Sequence, residues 1–126
     1  MENLTSWIIP AIGFFVLMLL SGIWLSRKGK PYNKLIFSVH KIITLLTILF
    51  VARYVILATK SVAMAQLTVT LFWVCVTFFV ISFVSGALLS FEKPMPDALT
   101  KLHRISALLV TILTGVTVYK ILTGNP

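Results

Sequence analysis

Acidic side chains are almost missing from this chain. Its 126 residues include only three, Glu2, Glu92 and Asp97, each at an end or in a loop. Proton-coupled export of cations needs a carboxylate inside the membrane, so that class of transporter is set aside. A single cysteine, Cys75, permits no internal disulfide and, inside an apolar run, reads as a small buried hydrophobe. Histidine occurs twice, as His40 and His103, with no Asp, Glu or Cys nearby to complete a protein-only metal shell. Charged residues make up 11% of the chain, against about a quarter in soluble domains, which argues against a soluble fold. No nucleotide-binding signature is present, so direct reduction by a nicotinamide cofactor would need another protein.

What the chain does have is length without charge. It is 59% hydrophobic, and four stretches reach the roughly 20 apolar residues that a bilayer crossing takes. They run from about Trp7 to Ser26, Leu35 to Thr59, Ser61 to Phe91 and Ala98 to Leu122. Lipid cannot satisfy backbone groups, so the spans are expected to be helices. The expectation is an all-α, four-helix transmembrane bundle forming one domain, residues 1–126. Before the first run there is Glu2 and no basic residue, which does not read as a cleaved signal peptide.

The basic residues are unevenly placed. Arg27, Lys28, Lys30, Lys34, Lys41, Lys93, Lys101 and Arg104 gather at one end of the expected bundle; Arg53, Lys60 and Lys120 mark the other. Loops rich in lysine and arginine stay in the cytoplasm, which puts both hairpin loops inside and both termini outside. Trp24 and Tyr32 then belong to the inner interface, and Trp7, Trp73 and Tyr119 to the outer one. The net charge of +8 is thus a topology signal rather than a nucleic-acid footprint, with attraction to anionic headgroups as a secondary role. This fits an integral protein of a bacterial-type inner or plasma membrane. Asn33 and Asp97 are expected to cap the second and fourth helices.

The chain also repeats itself. "FFVLMLLSGIWLS" at residues 14–26 matches "FFVISFVSGALLS" at 78–90 in seven of thirteen places, including Ser21-Gly22 and Ser85-Gly86. After one residue is dropped in the loop, "HKIITLL" from His40 falls on "HRISALL" from His103. Repeat 1 covers residues 6–59 and repeat 2 residues 66–123. Each is a helix with Ser-Gly near its end, a loop, and a helix with His-Lys or His-Arg near its start. At 1.5 Å per residue, both histidines sit about 9–10 Å into their helices and both glycines about 8–9 Å in. Two imidazoles and two missing side chains at one depth make a slot suited to a flat macrocycle with a central metal. Haem iron accepts two axial nitrogens, glycine clears room, and cations or hydroxyls neutralise the carboxylate tails.

This constellation resembles the membrane-embedded four-helix bis-histidine b-type cytochromes. The likeness covers the four-helix core and rests on His40, His103, Gly22 and Gly86. It implies one haem b per chain near the cytoplasmic side, with His40 and His103 as axial ligands to the metal. It implies Gly22, Gly86, Ser21, Ser85, Lys41 and Arg104 as the other cofactor-binding residues, with no catalytic residue. Those families usually carry a second histidine about four turns along each ligand helix; here those places hold Arg53 or Tyr54 and Thr117, so a single-haem variant is implied. Electron transfer, with quinone or a redox partner at the basic face, is the activity such a protein would have, alone or as the subunit of an oxidoreductase. The alternatives are a haem-free structural or regulatory subunit of a larger membrane complex or homo-oligomer, and a haem carrier or sensor. Thr44, Thr47 and Val51 after His40, with Ala107 and Val110 after His103, read as plain helix-packing core. Met18 lies too deep, and Met64 too near the outer loop, to ligate the iron.

Overall fold

The structure is a computed structural model, and it describes residues 4–61, 66–91 and 93–123. Glu2, Met64 and Glu92, weighed above, lie outside the described residues. Four helices follow in order: α1 (Leu4–Lys28), α2 (Lys34–Ser61), α3 (Gln66–Leu89) and α4 (Asp97–Thr123). Each is long and apolar enough to cross a membrane, and no strand occurs among the described residues. The third helix begins at Gln66, five residues later than the charge-free run that opens at Ser61.

The chain forms two compact units, Met1–Val62 and Ala63–Pro126. In the first, α1 packs against α2; in the second, α3 packs against α4. Each unit is therefore a helical hairpin of membrane length. The first turn is stopped by Gly29, whose φ of +73° is the left-handed geometry that ends helices and that L side chains avoid. Four residues on, Asn33 caps α2 as expected: its side-chain oxygen accepts the Leu35 and Ile36 N–H groups at 2.9 and 3.3 Å. Asp97 does not stand in the equivalent place. It is the first residue of α4, and the carbonyl of Pro96 accepts the Leu99 N–H at 3.0 Å. There its carboxylate lies at the positive end of the helix dipole.

Burial in the hairpins is the reverse of that in a soluble protein. Among the described residues, half of the buried side chains are serines and threonines: Ser21, Thr47, Thr68, Ser85, Ser106 and Thr117. Large apolar side chains such as Leu35, Leu49, Leu108 and Ile105 are turned outward and exposed. Water would oppose such a surface, whereas lipid tails are as apolar as leucine and leave small residues to form the seams between helices. Most of the buried hydroxyls are satisfied by their own backbone: Thr47 donates to Ile43, Thr117 to Leu113 and Ser106 to His103, at 2.7–3.0 Å. The helical period places these residues on one stripe, since Ser106, Val110 and Thr117 are spaced four and seven apart.

Candidate functional site

Each hairpin contains the same three-residue arrangement at its loop end. In the first, Ser21 and Gly22 near the end of α1 meet His40, six residues into α2. In the second, Ser85 and Gly86 near the end of α3 meet His103, six residues into α4. The depth estimate from the sequence therefore brought the right residues to one level within each hairpin.

The glycines make room for something definite. A β-carbon built on Gly22 would lie 3.1 Å from Cε1 of His40, and one built on Gly86 only 2.9 Å from Cε1 of His103. The Cε1 corner of the imidazole thus points at the bare backbone of the neighbouring helix. The sequence reading assigned this clearance to the edge of a macrocycle; within each hairpin it is the histidine ring itself that occupies it.

Hydrogen bonds fix the proton on each ring. The Ser82 carbonyl, which can only accept, lies 2.9 Å from His103 Nδ1, so Nδ1 carries the hydrogen. Ser85 Oγ stands 3.2 Å from the same nitrogen and donates its own hydrogen to the Ser82 carbonyl. In the first hairpin Ser21 Oγ donates to the Met18 carbonyl at 2.9 Å, which uses its one hydrogen. Its lone pair then accepts from His40 Nδ1, 2.8 Å away. Nδ1 is thereby the donating nitrogen of both rings. Of the four cofactor residues beyond the histidines and glycines, Ser21 and Ser85 join the site and Lys41 and Arg104 do not touch it. Both basic side chains are exposed, and Lys41 turns toward the loop end with Nζ 4.7 Å from the centre of the Phe37 ring.

Two parts of this arrangement were not legible in the sequence. Ser82 acts through its main chain, so its identity (Met18 stands in its place in the first repeat) carries no signal. Ser106, three residues after His103, gives its hydroxyl to the His103 carbonyl at 3.0 Å, and its counterpart in the first repeat, Ile43, has no hydroxyl to signal it. Thr47, read as core, does more than fill space: buried completely, it also reaches the Phe14 carbonyl across the seam at 3.0 Å. An apolar groove of about 260 Å³ borders Ser85, between Val80, Val84 and Leu88 on α3 and Leu99 and Leu102 on α4. It adds no further polar group to the site.

Among the described residues, no three of the His, Cys, Asp and Glu side chains come together. Cys75 is engaged elsewhere, with Sγ 3.2 Å from the Thr114 hydroxyl. No family model, no curated protein and no solved structure matches this chain.

Proposed function

We propose that this protein is a membrane b-type cytochrome that holds one haem b near its loop end, with His40 and His103 as the two axial ligands. The observation that carries this reading is the matched tautomer of the two imidazoles. Ligating histidines commonly donate their second ring N–H to a carbonyl or hydroxyl, which fixes orientation and leaves the other nitrogen basic. Ser21 on one ring, and Ser85 with the Ser82 carbonyl on the other, supply that partner. This hydrogen bonding at Nδ1 is what supports a ligand role for the two imidazoles.

When bound, such a haem supplies one-electron chemistry, in exchange with a quinol or a soluble redox partner. The chain's part is to present two half-buried imidazoles and to hold each against the backbone of the neighbouring helix. With both imidazoles held to it, such a haem would serve electron transfer rather than substrate chemistry. The lysine and arginine distribution supports an orientation with the loops in the cytoplasm and the termini outside.

The same contacts favour one other reading. Each imidazole bridges the two helices of its hairpin through a hydroxyl and packs on a glycine, so it could serve as a haem-free clasp in a structural subunit. Absorption spectra of the detergent-purified chain, oxidised and dithionite-reduced, separate the two. Haem binding gives reduced bands of a six-coordinate b haem, at about one per chain, abolished in His40→Ala and in His103→Ala. A colourless chain that takes up no added haem, and whose alanine variants only unfold sooner, establishes the clasp instead.

A further inference from the structure

The repeated serine is wired differently in the two hairpins. In both, its hydroxyl donates to the carbonyl three residues back, Ser21 to Met18 at 2.9 Å and Ser85 to Ser82 at 3.0 Å. The histidine ring then meets a different acceptor in each. His40 Nδ1 lies 2.8 Å from the Ser21 hydroxyl. His103 Nδ1 lies 2.9 Å from the Ser82 carbonyl and farther, 3.2 Å, from the Ser85 hydroxyl.

These are opposite ways of joining the same three groups. In the first hairpin the bonds run head to tail, from ring N–H to hydroxyl and from hydroxyl to carbonyl. Each bond in such a chain polarises the next, so the Ser21 oxygen accepts more strongly because its own hydrogen is engaged. In the second hairpin two donors, the ring N–H and the Ser85 O–H, converge on one carbonyl. A carbonyl oxygen has two lone pairs and takes both, but its negative charge is divided between them. Ser85 therefore weakens the main bond that holds His103, where Ser21 strengthens one that holds His40. Both serines are buried, so water does not compete with these bonds.

We propose that Ser21 and Ser85 are positioning residues that tune the two imidazoles in opposite directions, Ser21 raising and Ser85 lowering the electron donation of its ring. The redox consequence rests on the haem reading; the wiring of the two serines does not. A stronger bond at Nδ1 makes the ring a better donor through its other nitrogen. On a bound iron, that stabilises the oxidised form and lowers the reduction potential. One repeated motif thus yields two ligands of unequal strength.

Two measurements on the full chain in detergent test this, one of them without haem. Proton NMR of the haem-free chain with isotope-labelled histidine follows the two Nδ1–H resonances, which move downfield as their hydrogen bonds strengthen. Ser21→Ala should move the His40 resonance upfield, and Ser85→Ala should move the His103 resonance downfield. Ser85→Cys, whose thiol is a weak donor, should move it the same way by less, and it serves if the alanine variant fails to fold. Redox titration of the haem-loaded chain should give a potential raised in Ser21→Ala and lowered in Ser85→Ala. Simple loss of packing moves both variants the same way. Shifts of one sign at the two serines, or no shift in either Ser85 variant, therefore overturn the proposal. A native chain that takes up no haem overturns the cytochrome reading and the tuning of a potential with it; the NMR shifts still decide whether the two serines act in opposite directions.

Discussion

The two hairpins share one arrangement and differ in almost everything around it. Serine, glycine and histidine meet at the loop end of both, with the proton on the same ring nitrogen. Beyond that level the seams diverge. The first is aromatic: Phe14 stacks on Phe50 with centres 4.8 Å apart, and Trp7 tilts against the same ring at 6.1 Å. Arg53 extends that cluster with its guanidinium 5.5 Å from the Trp7 ring. The second seam has Leu113 where Phe50 would be, and is built from Cys75, Thr114, Val110 and Thr117. Helix packing in lipid accepts either solution, because it asks only for close contact and satisfied hydroxyls. What two different seams have in common is then the part that packing alone does not demand.

The sharpest way to break that comparison is at the glycines. Gly86→Ala puts a methyl group 2.9 Å from a ring carbon, inside contact distance, whereas Gly22→Ala places it at 3.1 Å, where a small shift relieves it. Overpacking of this kind costs about 1–3 kcal/mol, so Gly86→Ala should destabilise its hairpin clearly and Gly22→Ala less. Thermal unfolding in detergent, with haem retained per chain as a second readout, gives the order. Equal effects at the two positions would mean that the ring yields freely, and that the glycines serve helix approach rather than the imidazole.

A smaller effect sharpens the difference between the seams. Phe50→Leu gives the first hairpin the residue of the second, and removes two ring contacts worth about 0.5–1.5 kcal/mol each beyond the area they bury. The first hairpin should lose about 1–2 kcal/mol while the His40 site, ten residues away, keeps its tautomer and its haem. Loss of haem in this variant would show that the aromatic seam positions the imidazole.

The helices and the pairing of Ser-Gly with histidine could be read in the sequence because both depend on spacing. A charge-free run fixes the span, and 1.5 Å per residue fixes which side chains share a level. Three things could not be read in this way. The Ser82 carbonyl is a backbone atom and any residue could supply it. Asp97 and Asn33 look alike as capping residues, yet Pro96 lets α4 start one residue earlier relative to its acid. The clearance above Gly22 and Gly86 is visible as missing volume, but the sequence does not say what fills it; the imidazole on the facing helix of the same hairpin does so.

The finest comparison lies at two buried positions that stand seven residues after the histidines. Thr47 is wholly buried and Val110 is 2% exposed, and they are nearly the same size. Thr47 spends its hydroxyl on its own helix and on the Phe14 carbonyl opposite. Hydrogen bonds between membrane helices average about 0.6 kcal/mol, so Thr47→Val should cost about that much by thermal unfolding and leave haem content unchanged. In Val110→Thr the new hydroxyl has the Ser106 carbonyl one turn back to accept it, so the change should be close to neutral. A gain of similar size would mean that α3 offers a carbonyl across the second seam where Phe14 offers one across the first. In that case the two hairpins share their backbone spacing as well as their site, and differ only in the side chains that fill it.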